Sequence, residues 1–332
     1  PVEGVVEGYS LPGKHEVDPC AVMAFFYYVL FGMMLSDAAY GLLTVVGSAF
    51  ALKKFPDMEL KMRKTLRMFL FCGISTTVWG VLFGSYFGDA IPVIAQTFFH
   101  TEITVPALWF EPLDDPMRLL IFSFGVGVAH LFTGLGVQFY QLAKQKKYAD
   151  ALYDVVFWYL LVGGLIVVLL STEIFQNIAE LPFVVPGPVA AVAGVVGGIG
   201  AVGILFTAGR ESRNPVKRFL KGLYGLYGVS SYLSDILSYS RLLALGLATS
   251  VISTVFNQLG AMLGGGVVGA IFFAVVFLIG HSMNMAINLL GAYVHTNRLQ
   301  FVEFFGKFYE GGGRAYAPFA ANTKHFQIKE EK

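Results

Sequence analysis

Arginine cannot shed its charge to enter hydrocarbon, yet this sequence sets two arginines in apolar surroundings. Arg241 stands in Leu237-Ser238-Tyr239-Ser240-Arg241-Leu242-Leu243-Ala244-Leu245, and Arg298 in Ala292-Tyr293-Val294-His295-Thr296-Asn297-Arg298-Leu299. An ionised group at mid-bilayer costs about 2.5–3.5 kcal/mol on insertion scales, so such residues carry function by default. The chemistry they offer is electrostatic. A fixed cation bars mobile cations from passing straight through.

Polar residues lead up to each arginine at helical spacing. Tyr227, Ser231, Ser234, Ser238 and Arg241 recur at alternate steps of four and three, and His281, Asn284, Asn288, Gly291, His295 and Arg298 do the same. Beyond Arg241 the first face turns apolar with Leu245, Ala248 and Ile252. Beyond Arg298 the second continues as Val302 and Phe305. On antiparallel helices the first line runs from the cytoplasm to Arg241 and the second from outside to Arg298. They describe two offset aqueous half-paths meeting near mid-membrane. Taken singly, Ser, Asn and His on membrane helices are interhelical hydrogen bonds worth about 0.6 kcal/mol. Two complete lines that both stop at an arginine favour ion translocation.

Positioning these lines requires a membrane. Of 332 residues, 56% are hydrophobic and 14% charged, too much apolar surface for one soluble core. The net charge of +1 carries no basic excess, which sets nucleic-acid binding aside. Cys20 and Cys72 form no CxxC, and no metal site is expected.

Apolar runs long enough to span fall at residues 66–88, 118–142, 151–171 and 183–206, with longer runs at 17–52, 216–259 and 266–308. As one helix, 17–52 would rise about 54 Å, well over the membrane thickness. Small and polar residues from Gly32 to Gly41 break it into two. The fold expected is an all-α polytopic bundle of eight membrane segments, seven being the alternative, ending in two long tilted helices. Lys53, Lys54, Lys61, Arg63 and Lys64 fill one loop, Lys144, Lys146 and Lys147 a second, and Arg210, Arg213, Lys217, Arg218 and Lys221 a third. These loops, with Lys307, Arg314 and Lys324, are cytoplasmic by the positive-inside rule; eight segments then put both termini inside, whereas seven would put the N-terminus outside. Loops with Glu102, Glu111, Asp114 and Asp115, and with Glu173 and Glu180, face outward. No signal peptide is recognised, and the start at Pro1 suggests the later part of a longer polypeptide.

At this point the sequence resembles a known family, the membrane half of subunit a, or subunit I, of V/A-type rotary ATPases. The stretch from Ser234 through Arg241 to Leu245 looks like the family's arginine helix, and His295-Thr296-Asn297-Arg298-Leu299-Gln300-Phe301-Val302-Glu303-Phe304 like its second arginine motif. Phe31-Gly32, Asp37 and Gly41 are similar to its first-span signature, and Phe308-Tyr309-Glu310-Gly311 and Tyr316-Ala317-Pro318-Phe319 to its close. The resemblance implies eight segments behind a cytoplasmic N-terminal half. Residues 1–16 would be the lead-in from that half, 17–216 segments one to six, 217–310 the two ion-path helices, and 311–332 a cytoplasmic tail.

The resemblance also implies partners: a rotor ring of small membrane subunits, each with one ion-binding carboxylate, and peripheral-stalk and ATPase-head subunits reached through the N-terminal half. Arg241 would meet the carboxylate and Arg298 support it. The chain would not be catalytic alone, but would be the ion-translocating subunit of an ATP-hydrolysing or ATP-synthesising complex in a bacterial or archaeal cell membrane. Where proton-pumping relatives often place glutamates, this chain has Tyr227 and Asn288. Serine and asparagine oxygens suit Na⁺ as well as water-borne protons, so H⁺ and Na⁺ both stand.

Asp37 and Asp89 flank glycine-containing breaks and read as packing residues, and His130 as a hydrogen-bonded bundle histidine. Asp235 and Glu303 lie near the arginines as helix-pair partners or path residues. The glycine patches contain no GxxxxGK[ST], so no cofactor is expected and nucleotide binds another subunit. A secondary transporter is the rival reading, but it predicts internal repeats that this sequence lacks. A passive channel predicts a polar path without a central charge.

Overall fold

The computed structural model describes residues 1–14, 16–173, 175–176, 185–210 and 214–314. Glu180, Arg213, Lys324, the 316–319 motif and all but the first residues of the expected tail lie outside them. Among the described residues the chain is all-helical, as expected. A short α1 (Glu3–Tyr9) precedes α2 (Cys20–Leu35), α3 (Ala38–Lys54), α4 (Leu60–Phe83), α5 (Ala90–Phe99) and α6 (Pro116–Lys144). Then come α7 (Tyr148–Leu170), α8 (Gly187–Thr207), α9 (Pro215–Leu237), α10 (Ser240–Ala261) and α11 (Val267–Phe308).

The 17–52 run breaks where its composition says it should. Ser36 ends α2 in the left-handed region at φ 37°, and Asp37 opens α3, its Oδ1 accepting from Ala39 N at 2.9 Å and Tyr40 N at 3.0 Å. The chain reverses there. Gly32 of α2 lies against Ser75 and Trp79, and Tyr28 packs near Phe71, so α2 runs parallel to α4. Gly41 lies against Gly73 and Thr77, and Gly80 against Asp37 and Ala38, so α3 runs antiparallel to α4 along its other side. A side chain at Gly41 would come within 2.5 Å of Thr77 N, so glycine is what lets these backbones meet.

Among the described residues six helices are long and apolar enough to cross a membrane: α4, α6, α7, α8, the joined α9–α10 and α11. The difference from the expected eight is α2 and α3. At 16 and 17 residues they rise about 24 and 26 Å, short of the ~30 Å hydrocarbon core. The fourth expected run, 183–206, is a helix from Gly187; residues 183–184 lie outside the described set.

The basic loops gather at one end. Lys64 pairs with Glu3, Arg210 with Asp150 and Asp154, and Arg218 donates to Phe206 O. The lead-in is tied there to the end of α11. Tyr309 donates to Ser10 O at 2.7 Å, and Glu16 accepts from Glu310 N and Gly311 N. At the opposite end Trp109 N donates to Leu82 O, and the acidic loop folds over the close of α4. Glu111 is held above the usual carboxylate range there by burial, then by the negative charges of Asp114 and Asp89.

Candidate functional site

The two arginines sit on joints. Between α9 and α10 the regular bonding lapses into three-residue steps, Tyr239 N to Ile236 O, Arg241 N to Ser238 O and Leu242 N to Tyr239 O, so Arg241 occupies the first turn after a break. Arg298 is the last α-helical residue before a π-helical stretch, Leu299–Phe304. Helix α11 returns antiparallel to α10: Asn284 faces Thr249 and Ser253, Gly291 faces Leu245, and Glu303 reaches Arg241. His295 lies within the electrostatic reach of both Arg241 and Arg298, so the structure brings the ends of the two predicted lines together.

The guanidinium of Arg241 is loosely held. Its Nη1 is 3.5 Å from Glu303 Oε1 and its Nη2 3.5 Å from Ser238 Oγ, with 22% of the side chain exposed. A fork-to-fork carboxylate pair closes to about 2.7–2.9 Å, so most of its donor capacity is uncommitted. Arg298 is exposed and has no hydrogen-bond or ion-pair partner among the described residues. Of the two neighbouring acids, Asp235 is already bound to Lys307 at 2.5 Å, with that ammonium 3.9 Å from the Tyr232 ring centroid.

The two predicted lines have different surroundings. Tyr227, Ser231 and Ser234 are exposed along α9, whose other face packs Gly222 and Gly225 against α8, and Ser238 is half-buried beside Arg241. On α11, His281, Asn284 and Asn288 are buried. His295 is half-buried and Arg298 exposed, so this line emerges from the bundle interior onto its surface.

Its inner part is a continuous hydrogen-bonded chain. Asn257 Nδ2 donates to Asp89 Oδ1 at 2.9 Å and to Phe87 O at 2.8 Å, which leaves Asn257 Oδ1 to accept from His281 Nε2 at 2.9 Å. His281 Nδ1 then faces the Tyr40 hydroxyl at 2.7 Å and, in the neutral ring, accepts from it. Asn284 Nδ2 donates to Tyr40 Oη at 3.0 Å and Ser253 Oγ at 2.9 Å, and Asn288 donates to Asn284 O at 3.0 Å. The chain thus runs from an acid in the loop before α5 to Asn288, two turns from His295.

Asp37 has its lone pairs filled by Ala39 N, Tyr40 N, the Ser85 hydroxyl at 2.7 Å and Gly88 N at 2.9 Å, the environment of a packing residue. His130 lies between the rings of Phe26 and Phe304, 4.4 Å from each. Its Nδ1 is 2.8 Å from the Tyr239 hydroxyl, while its Nε2 has no partner among the described residues.

Sequence reasoning missed Tyr40, Ser253 and Asn257. A signal existed on α10: Thr249, Ser253 and Asn257 recur every four residues, but they lie off the face that carries Arg241 and Leu245. Tyr40 gave none, because only the reversal at Ser36–Asp37 brings it to the C-terminal pair.

A bundle of long apolar helices that carries an exposed Arg298 and a partly buried Arg241 on its C-terminal helices defines a polytopic membrane protein. Comparison with known proteins gives its relatives. Residues 229–321, which include both arginines, match the V-type ATPase 116kDa subunit family. The chain is 32% identical over 98% of its length to the A-type ATP synthase subunit I of Methanocaldococcus jannaschii, and 34% identical over 99% to that of Pyrococcus horikoshii. It is 24% identical over 95% of its length to the V-type ATP synthase subunit I of Chlamydia pneumoniae. The chain spans about half the length of these relatives, 48%, 47% and 53% respectively. The resemblance read from the Arg241 and Arg298 motifs therefore holds: the chain is related to subunit I of A-type and V-type ATP synthases along nearly its whole length.

Proposed function

We propose that this chain is the ion-path part of the stator in an ATP-driven rotary pump of the A/V type, and that it moves H⁺ or Na⁺. The carrying observation is the state of the arginines. Arg298 is exposed and unpartnered among the described residues, and Arg241 is held only at 3.5 Å, so both present free N–H donors to a surface. That is the arrangement a moving carboxylate requires. A rotor-ring subunit passing this face gives up its ion opposite Arg241, because the guanidinium favours the ion-free carboxylate. Arg298 extends the same positive field.

Tyr227, Ser231, Ser234 and Ser238 form the cytoplasmic half-path, open on the surface that the ring would close. His281, Asn284, Asn288 and His295 form the outer half-path, to which Tyr40, Asp89, Ser253 and Asn257 add their hydrogen bonds. The basic loops gathered at one end support a cytoplasmic placement of that end and of both termini. Peripheral-stalk and ATPase-head subunits are the further partners this reading implies.

The test is proximity. Single cysteines at Tyr227, Ser231 or Ser234, in the assembled complex, should crosslink to a small membrane subunit, whereas a cysteine at Val192, exposed on α8, should not. Crosslinking from none of the three α9 positions contradicts the reading.

A further inference from the structure

Glu303 has an environment that neither the polar lines nor the ring explain. It is 1% exposed, and one oxygen reaches Arg241 at 3.5 Å while the other, Oε2, is buried without a partner among the described residues. Glu303 follows Thr296 by seven residues and Ala292 by eleven, two and three helical turns, and so lies on the same buried face of α11. After Asn288 the buried residues of α11 include Ala292, Thr296, Leu299, Gln300, Glu303 and Phe304. Val302, one turn beyond the exposed Arg298, is 58% exposed, and the stretch Leu299–Phe304 that carries Glu303 is π-helical.

A buried carboxylate 3.5 Å from a guanidinium neutralises it without saturating it. The groups facing Glu303 are Arg241 and Ser238, Tyr239 beside them, and Asp235, whose charge is taken by Lys307. His130 stacks on the neighbouring Phe304. Arg241 is thus the one cation bonded to Glu303 among the described residues.

Resting on the stator reading above, we infer that Glu303 is a positioning residue that competes with the rotor carboxylate for Arg241, weakening the arginine's grip so that the carboxylate reloads its ion and moves on. With a neutral side chain in its place, Arg241 pulls harder on the rotor carboxylate. The ion-loaded form is then disfavoured, and more ion is needed to restore it. For H⁺ this moves the alkaline limb of the rate profile to lower pH; for Na⁺ it raises the half-saturating concentration. An opposite charge within 4–6 Å moves a carboxylate by about one to three pH units. Removing part of its screening should therefore raise the half-saturating ion concentration by about three- to tenfold.

The experiment uses the complete complex in vesicles and compares the parent with Glu303→Gln and Glu303→Asp. ATP-driven uptake and ATP hydrolysis are both followed against pH and Na⁺. The expected result for Glu303→Gln is the raised half-saturating concentration, with uptake and hydrolysis slowed together and ions moved per ATP unchanged. Glu303→Asp, with its carboxylate drawn back by one methylene, should fall between that variant and the parent. A half-saturating concentration equal to the parent's in both variants overturns the inference. So does hydrolysis that continues without uptake, which would mean that Glu303 only holds Arg241 in place. If Glu303→Gln does not assemble, Glu303→Asp alone decides: a shifted concentration supports the inference and an unshifted one overturns it. Arg241→Ala separates the two levels, since normal pumping there removes the stator reading itself. Loss of pumping there with a normal Glu303→Gln removes only the role of Glu303.

Discussion

The amide of Asn284 donates to the hydroxyl of Tyr40 at 3.0 Å, joining the C-terminal helix pair to a helix near the start of the chain. The same network ends at Asn257, which holds Asp89 and His281 together. Asn257→Leu keeps the volume and removes both bonds, leaving a carboxylate oxygen and a ring N–H without partners. The expected loss is about 1–3 kcal/mol, read as a lowered unfolding midpoint in detergent. Gln258→Leu, at the exposed neighbouring position, should stay within about 0.5 kcal/mol of the parent. Equal stability of the two variants would mean that the network contributes nothing to the fold.

The two half-paths should respond differently to bulk. Ser234 is exposed, so Ser234→Phe should leave the fold and assembly intact while slowing ATP-driven uptake severalfold. Asn288 is buried and bonded to Asn284, so Asn288→Leu should slow uptake and also cost about 1 kcal/mol of stability. Uptake at the parental rate in both variants would leave these residues as packing alone.

Much of this was legible in the sequence because membrane helices obey two strong constraints, apolar length and helical period. The reversal at Ser36–Asp37 was readable from the small and polar residues between Gly32 and Gly41, and the arginines from their charge in an apolar setting. What was not legible depends on departures from the uniform helix. The polar line through His281, Asn284 and Asn288 was projected straight to Arg298 and onward to Val302 and Phe305, but the buried face of α11 drifts to Ala292, Thr296, Leu299 and Glu303 and leaves Arg298 and Val302 exposed. Nothing in the composition of residues 299–304 marks the π-helical stretch there. The packing of Tyr40 on His281 spans 241 positions, beyond the reach of any local pattern.

At the acidic end, Glu111 gives a pH dependence of defined sign. Its carboxyl is held above the ordinary range by burial and by Asp114 and Asp89, so the fold favours its protonated form. Its contribution to stability is present at low pH and lost as pH rises through its folded value. Glu111→Gln should therefore raise the unfolding midpoint at pH 7, and the gain should shrink as pH falls through the carboxylate range. A gain that is constant with pH would assign the effect to packing.

The account turns on Arg241. In vesicles carrying the complete complex, Arg241→Ala should abolish ATP-driven ion uptake while subunit content stays that of the parent, because nothing then favours ion release from the passing carboxylate. Arg298→Ala should be milder, since its side chain only extends the field. Arg241→Lys should also fail largely, because an ammonium offers a point charge in place of the guanidinium fork and can lose its proton when desolvated. The decisive measurement is uptake by Arg241→Ala: the account predicts none above background with assembly intact, and uptake near the parental rate would contradict it.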